Sequence, residues 1–134
     1  MDFSSLVLME VEAESKKFLR ELGSYELPMG GSYITKFYSD KNNIYLSFGC
    51  DRDVEEWEYS AIFYYFPEEI FKEEGFVIED IDEEYNPSWL LTFEYKEDRQ
   101  YIQERLALAG ELIEEAMEKV ALVIKDKKVE FTEN

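Results

Sequence analysis

Histidine is absent from this 134-residue chain, and cysteine occurs once. The first absence removes the commonest general base and the commonest zinc ligand together, so no Ser/His/Asp or Cys/His set can be assembled. A single thiol, Cys50, permits no internal disulfide and leaves too few ligands for a structural zinc site. Cys50 reads as a passenger at a strand end rather than as a nucleophile. Glycine and proline are scarce, at 6 and 3 residues, and neither a P-loop nor a Rossmann glycine pattern occurs, Gly30-Gly31 being an isolated pair. No apolar run approaches the roughly 18 residues that span a bilayer, and Met1-Asp2-Phe3-Ser4-Ser5 lacks the basic start of a signal peptide. A cytoplasmic protein without a cofactor is the expectation.

Basic residues are few as well: 14 Lys and Arg stand against 32 Asp and Glu, for a net charge of −18. Residues 51–100 carry 17 acidic and 4 basic groups, a local charge of −13. Such a field repels phosphate backbones and anionic membrane surfaces, so the expected partners include neither nucleic acid nor membrane. A basic protein is the partner the charge favours. The competing reading is that an acidic surface simply keeps the chain soluble and monomeric.

Apolar content is high for so charged a chain, at 46% with 10 Tyr, 10 Phe and 2 Trp, which is a folding composition rather than a disordered one. No repeat, low-complexity tract or linker breaks it, so residues 1–134 read as a single α+β domain. Its pattern predicts an antiparallel sheet of about six to seven strands, mainly hairpins or a meander, with one short helix and one long C-terminal helix packed on one face. Residues 6–13 alternate, with Val7, Met9, Val11 and Ala13 expected on the buried face, and residues 17–27 return beside them. Residues 33–38 and 43–48 flank a polar turn as a second hairpin. A strand is predicted over 56–66, with Trp57, Tyr59, Ala61, Phe63 and Tyr65 on one face. Pro67, followed by Glu68 and Glu69 near the positive end of the dipole, opens a short helix that Gly75 closes. Residues 76–81 and 88–95 form a third pair.

From Asp98, a candidate N-cap, the period becomes helical to about Lys125, with Ile102, Leu106, Ala109, Ile113, Met117, Val120 and Ile124 in one stripe. Lys125, Lys127 and Lys128 suit the negative end of the dipole. Leu108, Leu112, Ala116 and Val123 widen the stripe, which leaves monomer and homodimer both open. Gly110 inside the helix points to close packing or a kink.

Candidate chemistry rests on carboxylates and aromatics. Asp51, Asp53, Glu55, Glu56 and Glu58 form one acidic segment, readable as a docking surface, a metal or acid/base cluster, or a solvated face. Glu79, Asp80, Asp82, Glu83 and Glu84 form a second. A calcium loop counted from Asp80 fails, because Tyr85 stands where glycine is required and Leu91 where the bidentate glutamate belongs. Trp57, Tyr59, Tyr64 and Phe66 are candidates for an aromatic groove or interface, although packing in the core is the better account of such a run. No residue is assigned as catalytic, and no metal site is assigned.

The phrases Asp53-Val54-Glu55-Glu56-Trp57-Glu58-Tyr59-Ser60-Ala61 and Glu84-Tyr85-Asn86-Pro87-Ser88-Trp89-Leu90 resemble small acidic domain families of unknown function from anaerobic Gram-positive bacteria. The resemblance implies a bacterial origin and carries no site residue over. Two functions stay open. One is a non-catalytic module that docks a basic protein through the acidic segments, as acidic immunity proteins do with cationic toxins. The other is a small-molecule or divalent-metal protein using an aromatic and carboxylate groove.

Overall fold

A computed structural model describes residues 4–132; Met1-Asp2-Phe3, part of the segment read above for a signal, lies outside them. Six strands, β1 (Ser4–Val11), β2 (Phe18–Leu27), β3 (Ile34–Ser39), β4 (Asn43–Gly49), β5 (Val77–Ile81) and β6 (Ser88–Glu94), form one sheet in the order β2-β1-β3-β4-β6-β5. Four helices accompany it: α1 (Glu56–Tyr65), α2 (Glu69–Glu73), α3 (Arg99–Ile124) and α4 (Lys128–Thr132). The fold is α+β and the sheet is mostly antiparallel. The exception is β1–β3, a parallel pair matched only at Met9–Tyr38 and Glu10–Ser39. It arises because the β2–β3 connection carries the chain back across β1, so the hairpins do not form a plain meander.

One sheet face carries the core. Ile44, Leu46 and Phe48 of β4 and Trp89, Leu91 and Phe93 of β6 are all buried there, as period-2 alternation requires. Helix α3 covers this face, starting where Asp98 accepts a hydrogen bond from the Tyr101 amide at 3.2 Å. Its 26 residues give a rod of about 39 Å, and every residue of the stripe from Ile102 to Ile124 is buried. The extra width of the stripe is used inside the chain: Leu112 and Ala116 are buried, and Leu108 packs on the core. At the sheet's β2 edge, Gln103 donates to the Glu26 carbonyl at 2.8 Å and accepts from the Glu26 amide at 2.9 Å. A helix side chain thus satisfies an edge that would otherwise invite a foreign strand. Among the described residues no helix is long and apolar enough to cross a membrane.

Residues 56–65 are a helix, not the predicted strand. Their apolar residues alternate only as far as Ala61 and then run together to Tyr65, with no clear helical stripe, so periodicity could not decide. A capping box decides locally: Glu55 and Glu58 each bond the other's backbone, and Glu56 and Glu58 lie in the first turn, at the positive end of the dipole. Packing completes the choice. Ala61 and Ile62 are buried, while Phe66 just beyond the helix stacks on Trp89 at 4.0 Å.

Two smaller differences follow from similar ambiguities. In β1 the core residue is Leu8, fully buried, and Val7 is 37% exposed on the opposite face with Met9 and Val11, so the buried face is the other alternate set. Ala13 lies past the strand in the turn. Pro67 precedes the cap residue Glu68 rather than occupying the first turn of α2, while Gly75 closes that helix with φ 86° as expected. Helix α4 has no counterpart in the predicted elements; it sets Phe131 against Tyr64 and Tyr65, at 5.9 and 6.2 Å.

Candidate functional site

The two acidic segments, far apart in sequence, meet at one end of the sheet. The β4–β6 ladder, which runs to Gly49–Ser88 and ends with the Cys50 amide donating to the Pro87 carbonyl at 3.2 Å, delivers them there, and side chains then join them. Asn86, in the β5–β6 turn, accepts from the Val54 amide at 3.1 Å and donates to the Asp53 carboxylate at 3.1 Å. Tyr59, on α1, places its hydroxyl 3.0 Å from the Asp82 carbonyl and 3.3 Å from that of Glu84. Burial first, and then the charges of Asp82 and Glu84, push the Tyr59 hydroxyl's pKa up, so it stays protonated and donates. These contacts fuse the start of α1 and the β5–β6 turn into one rim.

Asp51, Asp53, Glu55, Glu56, Asp82, Glu83 and Glu84 are exposed along it. Tyr85, 78% exposed, stands among them as an apolar body with a polar tip. Asp51 accepts from the Ser32 hydroxyl at 3.2 Å, and Glu55 from the Trp57 indole at 3.2 Å. Glu58 belongs to the scaffold. It takes two hydrogen bonds from Arg52, at 2.6 and 3.1 Å, and one from the Glu55 amide at 2.9 Å. The Arg52 hydrogen bond holds the Glu58 carboxyl below its ordinary range.

Glu79 and Asp80 do not join the rim. Both lie on the edge strand β5, paired with Leu90 and Trp89 on opposite faces of the sheet. Asp80 instead meets Glu68, whose carboxyl is pushed up to about 7 by its hydrogen bond to Asp80, by burial and by that neighbour's charge. Glu68 therefore keeps its proton up to about neutral pH. Glu68 stood in the sequence only as a helix-dipole residue, and nothing local marks its approach to a strand residue.

The aromatic set is dispersed. Phe66 is a core residue at 7% exposure, whereas Tyr64 is 74% exposed beside Tyr65 and Phe131. Tyr59 is committed to the turn and Trp57 to Glu55. Among the described residues no group of three His, Cys, Asp or Glu side chains is arranged to hold a metal ion.

Cys50, just past β4, borders a small cleft of about 80 Å3 with Tyr33 and Met117. Burial raises its thiol to about 11, which keeps it protonated and unreactive at neutral pH. What the rim offers chemically is therefore a fixed array of hydrogen-bond acceptors and negative charge.

Residues 1–132 match the model of a family described as "Family of unknown function (DUF6762)". The chain belongs to that family. No curated protein and no solved structure matches it.

Proposed function

We propose that this DUF6762 member is a non-catalytic binding module, and that the rim formed by the start of α1 and the β5–β6 turn docks a basic surface of a partner protein. The observation that carries the reading is the Asn86 clamp. It binds Asp53 and the Val54 amide from a turn more than thirty residues away, so two acidic segments present one preorganised surface. Exposed carboxylates steer a cationic partner into encounter. Tyr85 provides the amphipathic contact that docking surfaces favour.

An expected cytoplasmic location and a bacterial origin are compatible with this role and form part of the proposal. The test is affinity capture from lysate of the encoding organism, comparing wild type with Glu56, Asp82, Glu83 and Glu84 changed to Lys. None of these four side chains holds a structural hydrogen bond among the described residues. A basic protein retained by wild type, released by moderate salt and lost by the variant supports the proposal. Retention unchanged in the variant contradicts it.

A further inference from the structure

A second surface, on the helix-free face of the sheet, has the opposite character to the rim. Because β1 and β3 are matched only at Met9–Tyr38 and Glu10–Ser39, the two strands leave a groove between them, with a volume of about 580 Å3. Sites for small ligands occupy roughly 300–1,000 Å3 and are mostly apolar with a few placed polar groups. Here Val7, Met9 and Val11 form one wall, Ile34 contributes from β3, and Phe18 flanks the end. Val7 and Phe18 keep 37% and 51% exposure, in the part of the sheet where neither helix nor strand covers them.

Two observations say what fits. No groove-lining residue is Asp or Glu, in a chain where 32 of 134 residues are acidic. The charged groups present are both cationic, Lys16 and Lys36. Lys16 leans over the sheet with its Nζ 5.6 Å from the centre of the Tyr45 ring. Neither lysine forms an ion pair among the described residues. The neighbouring Asp40 carboxylate is already engaged by the amides of Asn42 and Asn43 and by the Tyr45 hydroxyl.

We propose that this groove binds a single-chain fatty carboxylate, with its alkyl chain along Val7, Met9 and Ile34 and its carboxylate at the lysine ammonium groups. Apolar burial supplies the affinity, and the lysines select a charged head over a neutral one. The site is separate from the acidic rim and does not depend on the docking role.

The test is titration of dodecanoate into the full chain carrying 13C-labelled methyl groups. The expected result is saturable, one-site shifts of the Val7, Met9 and Ile34 methyls, with Leu46 and Ile113 unmoved. Dodecan-1-ol, measured on the same wild-type protein, binds at least about tenfold more weakly, as does dodecanoate to the Lys16→Glu/Lys36→Glu variant. Absence of shifts overturns the proposal. So does equal affinity for acid and alcohol, or a groove found occupied by a second copy of the chain in the free protein.

Discussion

Gly30 and Gly110 pack backbone against backbone. A Cβ added to Gly30 would stand 2.5 Å from the Gly110 carbonyl oxygen, and one added to Gly110 would overlap the Met29 carbonyl oxygen. The β2–β3 connection thereby passes directly beneath α3. Gly30 also has φ 83°, a conformation that side chains resist.

Gly110→Ala inverts the usual sign of a helix substitution. Helix propensity alone favours alanine by about 1 kcal/mol, but the overlap with fixed backbone is expected to make the variant less stable by about 1–3 kcal/mol. Urea unfolding midpoints measure the difference, and a stabilised variant would show that α3 and the connection are not in contact.

The helical reading of residues 56–65 separates two neighbouring aromatics. Phe66→Ala removes a ring stacked on Trp89 and is expected to cost about 3–5 kcal/mol. Tyr64→Ala, at a 74% exposed position, is expected to stay within about 0.5–1 kcal/mol of wild type. Equal losses in denaturant unfolding would contradict this arrangement.

The Glu68–Asp80 pair makes stability depend on pH near neutrality. Glu68 titrates near 4.5 when unfolded and at about 7 when folded. Between those values the folded state holds the extra proton, so this contribution is fully present below pH 4.5 and is lost as pH rises through 7. Glu68→Gln supplies a permanent donor to Asp80, so the variant is expected to gain on wild type from pH 5 to pH 8. Thermal unfolding at the two pH values measures the gain, and parallel curves would show that Glu68 is not held protonated in the folded chain. Glu58, held low by Arg52, acts in the opposite sense, and its contribution is lost only as pH falls below the ordinary carboxylate range.

Asn86→Ala breaks both arms of the clamp. The Val54 amide and the Asp53 carboxylate lose their partner, at an expected cost of about 1–3 kcal/mol. Amide exchange at Val54 should accelerate with the loss, and an unchanged rate would mean that the turn is positioned by other contacts.

Much of this fold was legible because its signals are local. The cap at Asp98 and the stripe from Ile102 to Ile124 define α3 by themselves, and β3–β4 and β5–β6 are hairpins between neighbours in sequence. What escaped depends on long-range choices. Residues 56–65 carry no clear helical stripe. Leu6 and Leu8 compete with Val7, Met9 and Val11 for the buried face of β1, and the helix layer chooses Leu8. The parallel β1–β3 pair, and with it the groove, exists only because a connection crosses over a strand. Both acidic segments of the rim were visible as composition. That they form one surface depends on the β4–β6 pairing, and on Asn86 and Tyr59, an ordinary turn residue and one tyrosine among ten. Nothing in the sequence ties either to the opposite segment.

The most direct measurement for the docking proposal is the association rate with the captured partner as a function of ionic strength. It compares wild type, the Glu56/Asp82/Glu83/Glu84→Lys rim variant and a control with Glu104, Glu111, Glu115 and Glu118 changed to Lys. The control residues are exposed on α3, and both variants carry the same net charge. If the rim is the docking surface, its reversal slows association at low salt by at least about tenfold and flattens the salt dependence, while the α3 control stays within about threefold of wild type. Equal slowing in both variants would mean that the partner senses only the overall charge of the chain, and the rim would lose its claim to be a site.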